Sequence, residues 1–518
     1  MEHLSALDAG FLEVEDADPH ISMAIGGIAV LTGPAPDFDA LIDLIADRIR
    51  VEPRLRQVLR IRPWDLGAPE WVDDPAFDIT HHVHRVAVPR PGDDAALHRL
   101  TADIMGHRLD RNRPLWESWV IEGLAQNRWA VLTKIHHCMA DGVSAARMLG
   151  RLFDETGGLR VVSPDTPRPA SAPSLSLNPL RWMSSAWRTS TEVANVAVQA
   201  VHGAAEIAGG LIRPAASTLN GPVSDMRRFA LAEVSMADVD KVCARFGVTV
   251  NDVALAAITD SFRSMLINRG ETPKRTSLRT LVPVSLRGSA TDPRAGDPDN
   301  RVAAMLPYLP VDLPDPLQQL QTVHRRLTTA KNSGQREASS IFVSAANLIP
   351  FTMSAWTVRA FSRLPQRGVV TLATNVPGPR HRLQIMGREV VRLAPIPPLG
   401  AQLRTAVAIL SYADHLAFGI LADYDHAPDV DDLATGIARA VTRLAELTAV
   451  PHRSTALGTL ALVVGCPPSA GIDRSISSSQ VRADMSDGAR QSPRGDSDPP
   501  ADTLGPLGIA ERLNCENE

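Results

Sequence analysis

A run of proline and serine, SPDTPRPASAPS from Ser163 to Ser174, divides the chain into two stretches that each alternate strand-like and helix-like patterns. Such a run has too little apolar surface to join a core and reads as a linker. At 518 residues the chain is too long for one ordinary core, so two domains with additions are expected. The expected parts are residues 1–160, a linker and crossover over 161–219, and residues 220–450. Gly288–Asn300 (GSATDPRAGDPDN) reads as a long polar loop. Residues 466–518 hold few large apolar side chains and are expected to stay disordered. No internal repeat is visible.

In the first stretch, WAVLTKIHH (Trp129–His137) alternates as a strand does, and Val143–Phe153 then has helical spacing. In the second, Arg279–Val284 and Val369–Thr374 read as strands, and Val253–Leu266 and Asp431–Leu447 as helices. Two α/β halves of similar size are thus expected. Periodicity alone does not choose among the folds built that way.

A hydrophobic share of 44% and a charged share of 21% suit a globular enzyme. The net charge of −5 gives no basic field of the kind nucleic-acid binding needs. Cys138, Cys243, Cys466 and Cys515 show neither paired spacing nor a C-x-x-C, so no disulfide framework and no zinc site are expected. The first residues, MEHLSALDAGFLEVED, are acidic and lack the apolar core of a secretory signal. No apolar run reaches the roughly 18 residues of a spanning helix. The expected location is the cytoplasm.

Between the halves, Val193, Val196, Ala200, Ile207 and Leu211 share one helical face, while Glu192, Gln199 and Glu206 fall largely on the other. Leu180, Met183 and Trp187 form a shorter stripe beside Arg181, Trp182 and Arg188. This segment is either a crossover helix packed on the protein itself or an interfacial helix resting on a membrane or lipid droplet.

The most informative stretch is His136-His137-Cys138-Met139-Ala140-Asp141-Gly142. Adjacent residues of a strand point to opposite faces, so the two histidines do not easily bind one metal, and no third ligand is spaced for zinc. A better use is one ring facing a cavity and the other buried as its support. An imidazole titrating near pH 6.5 can take a proton from a hydroxyl at neutral pH. Asp141 falls where the strand turns toward a helix, and Gly142 supplies the freedom for that turn. The plainer alternative is two ordinary histidines before a helix that Asp141 caps.

Other motifs keep this one company. LSALDAGFL (Leu4–Leu12), PLWE (Pro114–Glu117), VNDV (Val250–Val253), NVPGP (Asn375–Pro379) and FGILAD (Phe418–Asp423) follow in order around it. Together they resemble the bacterial wax ester synthase/diacylglycerol acyltransferase family, within the HHxxxDG superfamily of coenzyme A-dependent acyltransferases. The resemblance covers roughly residues 4–450, with Thr374 where the family often has serine before NVPGP. It implies an α/β (α+β), two-domain chloramphenicol-acetyltransferase-like fold with a tunnel between pseudo-symmetric halves. It implies transfer of an acyl group from acyl-CoA, as co-substrate and with no cofactor, to diacylglycerol or a long-chain alcohol. Carried onto this chain, His137 is the base and His136 its support. Asn375, with Asn251 as a second candidate, would stabilise the oxyanion. Asp141 would orient the loop, paired with Arg287. No G-x-S-x-G serine is evident, so an acyl-enzyme is not required. The expected setting is a peripheral membrane or lipid-droplet surface.

Each companion motif also has a structural reading. Asn251 could cap a helix, NVPGP could be a rigid turn, Trp116 could be core, and Asp8 and Phe11 could anchor the first element. Two other functions share the central motif: a condensation-type acyltransferase fed by a carrier protein, and a lipid-binding protein without turnover. Missing carrier domains and the presence of NVPGP speak against the first. The intact histidines, Asp141 and Gly142 speak against the second.

Overall fold

The computed structural model describes residues 2–61, 67–140, 142–154, 218–285, 302–332, 368–400 and 402–449. All belong to one unit, Met1–His452. In chain order they form β1 (Glu2–His3), α1 (Ala6–Ala17), β2 (Ala24–Thr32), α2 (Phe38–Ile49), β3 (Gln57–Arg60), β4 (Glu70–Asp73), β5 (Val83–Ala87), α3 (Asp94–Gly106), β6 (Trp116–Leu124), β7 (Arg128–His136) and α4 (Gly142–Gly150). The second stretch contributes β8 (Arg227–Ser235), α5 (Met236–Phe246), α6 (Val250–Asn268), β9 (Thr280–Ser285), β10 (Val302–Met305), α7 (Pro316–Asn332), β11 (Thr371–Val376), β12 (Gln384–Ile385), β13 (Arg388–Ile396), β14 (Thr405–Tyr412), β15 (His415–Asp423) and α8 (Val430–Ala449). The linker, the segment from Leu180 to Leu211, the loop from Gly288 and the tail from Cys466 lie outside the described residues.

Two six-stranded mixed sheets carry the site. The first has the order β12-β13-β2-β7-β6-β5, and the second β10-β9-β11-β14-β15-β8. β7 lies inside the first sheet and is buried along almost its whole length, which suits the near-continuous apolar run WAVL. Lys134 sits on this strand, wholly buried, with Nζ donating to Ile104 O at 2.9 Å and to His107 O. It thereby caps the C-terminal carbonyls of α3, where positive charge is favoured. Burial pushes its pKa down to about 8.

The second stretch is not self-contained. β13 leaves it and pairs antiparallel with β2, Ile396 opposite Gly26 and Val390 opposite Leu31. The same strand packs against β14 and β15 of the second sheet. Gly419 makes this approach feasible, because a Cβ there would meet Pro395 O at 1.7 Å. Asp423, closing the same FGILAD motif, is fully buried and accepts from Ser224 Oγ at 2.8 Å and His426 N at 3.0 Å, with Arg227 Nη1 3.8 Å away. That motif is therefore architectural. Arg392 ties the join electrostatically, donating to Glu233 of β8 at 2.8 Å and to Asp94 of α3 at 2.9 Å.

The helix expected over Val253–Leu266 is longer, Val250–Asn268, because its start is set by a capping box. Thr249 accepts from Asp252 N, and the Asp252 carboxylate accepts from Thr249 N. The cap is therefore Thr249. Asn251, read as a possible cap, lies inside the first turn instead. No single helix among the described residues is long and apolar enough to cross a membrane.

Replacing Gly419 by alanine should force β13 off β15. A loss of roughly 1–3 kcal/mol, the usual cost of overpacking, is expected in urea unfolding. An unchanged midpoint would show that the strands separate at no cost.

Candidate active site

The first helix starts at a serine N-cap. Ser5 Oγ accepts from Asp8 N at 3.1 Å and donates to Asp8 Oδ2 at 2.6 Å, while Leu4, Ala9 and Leu12 are buried beneath. Asp8 thus anchors α1, as its structural reading held. Phe11 and Glu15, four residues apart, share one face of that helix. They meet the two histidines separately.

Phe11 stacks on the His137 ring, centroids 4.1 Å apart at 25°. Glu15 is directed to His136, its Oε2 3.5 Å from Nε2, with side-chain exposures of 1% and 2%. The backbone holds both rings in register. His136 N donates to Leu115 O at 2.9 Å and His137 N to Met23 O at 3.0 Å, so strand pairing runs to the motif's second residue. His136 Nδ1 accepts from Cys138 N at 3.1 Å, which places the proton of the neutral ring on Nε2, facing Glu15. His136 is thus buried with Nδ1 hydrogen-bonded to the backbone and Nε2 turned toward a carboxylate. Cys138 is buried, and burial pushes its thiol well above the ordinary range, which makes it a poor nucleophile.

Glu15 is the hub of this arrangement. Its Oε1 accepts from Met23 N at 3.0 Å and its Oε2 from Arg111 Nη2 at 2.7 Å. Burial pushes the carboxyl upward, but the contacts with the His136 ring, Arg111 and Met23 N outweigh it and hold the pKa down at about 2. Arg108, nearby, donates to Ile21 O at 2.9 Å and to the carbonyls of Glu15 and Asp18. Sequence reasoning passed over Glu15 and Arg111. The available signal was the spacing of four between Phe11 and Glu15 in LDAGFLEVED, which puts a carboxylate on the face that carries the aromatic ring.

The second group lies on the other sheet. Asn375, near the end of β11, directs Nδ2 to Asn251 Oδ1 at 3.5 Å. The turn after it is fixed by Gly378, whose N donates to Ser411 Oγ at 3.1 Å and whose added Cβ would meet Ser411 O at 2.1 Å. The structural reading of NVPGP, a rigid turn, therefore holds. Helix α4, which follows the histidine turn and opens at Gly142, packs against both β2 and β11. That one helix joins the histidine strand's sheet to the asparagine strand. Trp116 is core: 2% exposed, it stacks on His82 at 4.7 Å and donates to Leu55 O at 2.8 Å. Asp141 and Arg287 lie outside the described residues. Among the described residues no group of three or more His, Cys, Asp or Glu is placed to hold a metal ion.

Comparison with known proteins gives the arrangement its family. Residues 4–254 match the wax ester synthase/diacylglycerol acyltransferase catalytic domain, and residues 299–445 the C-terminal domain of the same family. A probable diacylglycerol O-acyltransferase of Mycobacterium tuberculosis is 53% identical over 470 residues, 90% of this chain and 100% of the relative. This chain belongs to the wax ester synthase/diacylglycerol acyltransferase family. Among solved structures, the family's enzyme from Marinobacter aquaeolei superposes with a TM-score of 0.60 at 24% identity, covering 87% of this chain and 100% of that one. The starter condensation domain of rhizomide synthetase, solved with C8-CoA, reaches 0.53 at 14% identity, covering 86% and 94%. The expected two-domain chloramphenicol-acetyltransferase-like α/β fold is thus the fold of this family member.

A carboxyl depressed to about 2 contributes stability above its unfolded pKa of 4.5 and loses it as pH falls from there toward 2. The Glu15 contribution is on the order of 3 kcal/mol. Glu15→Gln should lower the melting temperature at pH 7 and flatten its fall between pH 4.5 and 2. Parallel melting curves for both proteins across that window would contradict the assignment.

Proposed function

We propose that this protein carries a fatty acyl group from acyl-coenzyme A to the free hydroxyl of a diacylglycerol, making triacylglycerol, and takes long-chain alcohols as second acceptors, making wax esters. The observation that carries the mechanism is the burial of His136, its Nδ1 taken by Cys138 N and its Nε2 turned toward the buried Glu15. The proton-accepting role therefore falls to His137. Its ring, stacked on Phe11, is held in one plane at the end of β7.

His137 takes the proton of the acceptor hydroxyl as the oxygen attacks the thioester carbonyl. The carbonyl electrons move onto oxygen, and Asn375 is the donor assigned to that oxyanion. Its amide has two protons. One is directed to Asn251, and the other serves the oxyanion. Collapse breaks the carbon–sulfur bond, and the leaving thiolate takes the proton from the His137 imidazolium. No covalent acyl-enzyme is needed, in keeping with the buried, unreactive Cys138.

Both the acceptor and the product are nearly insoluble, so the substrate must be collected from a bilayer or droplet surface. Peripheral attachment of a cytoplasmic protein is the physical route. The segment Leu180–Leu211, with Trp182, Trp187, Arg181 and Arg188, is the stretch proposed to make it; it lies outside the described residues.

Purified protein with labelled palmitoyl-CoA and either dioleoylglycerol or hexadecanol, its products separated by thin-layer chromatography, tests the activity. Labelled triacylglycerol is expected. Its absence, together with transfer from an acyl-loaded carrier protein, would favour the condensation-type alternative. His137→Ala should lower kcat by about 10²–10⁴, the usual contribution of a positioned base, with the fold kept. His136→Ala should instead lower the melting temperature. A folded, inactive His136→Ala beside an active His137→Ala would reverse the assignment.

Replacing Trp182 and Trp187 by serine should reduce liposome co-sedimentation and activity on dispersed diacylglycerol, and spare turnover of a soluble short-chain alcohol. Equal losses on both acceptors would count against a surface role for the segment.

A further inference from the structure

We infer that His324 is a positioning residue for acyl transfer, acting through Asp252 on the Asn251–Asn375 pair; this rests on Asn375 as the oxyanion donor. The 3.5 Å separation of Asn375 Nδ2 from Asn251 Oδ1 is at the long limit of a hydrogen bond, so a small displacement of Asn251 breaks it. Asn251 sits in the first turn of α6, and that turn begins at a sharp break. The chain bends by 104° between α5 and α6, through Gly247 at φ 66°. Such a corner needs an external tether to hold its position as well as its shape.

Three donors converge on Asp252 Oδ2: Thr249 N at 2.9 Å, Thr249 Oγ1 at 2.8 Å and His324 Nδ1 at 2.8 Å. The two from Thr249 belong to the turn itself and fix only its internal geometry. The third comes from α7, 72 residues away in sequence, and fixes where the turn stands. Asp252 is buried at 4% side-chain exposure while His324 remains 42% exposed. The tether thus reaches from a half-exposed helix surface to a carboxylate directly beside Asn251. Loss of His324 leaves the capping box intact and releases the turn from its anchor.

The test is a double-mutant cycle with palmitoyl-CoA and dioleoylglycerol, comparing wild type, H324A, H324N, N375A and H324A/N375A. Alanine is a good helix former, so H324A should keep the fold. H324A should lower kcat by about 10-fold, as small misplacements in a site do, and leave KM for palmitoyl-CoA unchanged. H324N, whose amide nitrogen stands where the ring's Nδ1 stands, can donate to Asp252 and should restore kcat. The double variant should be no slower than N375A, because both losses run through one group. Multiplicative losses, an unchanged H324A, or no rescue by H324N would overturn the positioning role while N375A stays impaired. A wild-type rate for N375A would overturn the oxyanion reading itself and the relay with it. Should H324A not fold, H324L, which fills the ring's place and carries no donor, takes its place in the cycle with the same expectations.

Discussion

A carboxylate withdrawn from water costs several kcal/mol unless its charge is matched by close donors, and Glu15 is withdrawn almost completely. Arg111 supplies the matching charge, Met23 N a backbone donor, and His136 the ring that links this buried centre to the motif. The consequence reaches outward in two directions. It fixes α1 against the start of β2, and it fixes the tautomer and plane of one histidine so that the next residue's ring stands in a defined place. Phe11 on the same helix face then completes the placement from the other side. The chemistry proposed for His137 is in this sense built from a carboxylate buried behind the neighbouring ring.

Much of this was legible in the sequence because local pattern and local chemistry agreed there. The strand ending in the histidines, the helix after them and the helices near Val253 and Asp431 appear where periodicity places them, their ends shifted by a few residues. The shifts have causes: a capping box at Thr249, and a helix that stops at Gly150. The family motifs also sort themselves physically. Asp8, Trp116, Gly419 and Asp423 hold architecture, while Asn375 meets Asn251 and α4 packs on both β2 and β11.

What was not legible depends on partners far apart along the chain. Nothing in the string REVVRLAPI says that it completes a sheet begun more than 350 residues earlier, because strand patterning records which face is buried and not who the neighbour is. Glu15 looks like one acid among several in LEVED until the helix is placed. His324 looks like a surface residue of α7, and its value comes from a carboxylate 72 residues away. In each case the missing information is the identity of a tertiary partner.

The β13 exchange also has a consequence for how the chain is made. A ribosome delivers β2, β6 and β7 long before it delivers Arg388–Ile396, so the nascent first sheet must wait with one side of β2 unpaired. An open, apolar strand edge is a template for pairing with other chains. During synthesis the first half is therefore a client for whatever shields exposed edges in the cell. It becomes self-sufficient only after the second half has surrendered its strand. Cutting the gene at the linker would leave one fragment with a missing strand and the other with a strand that has no sheet.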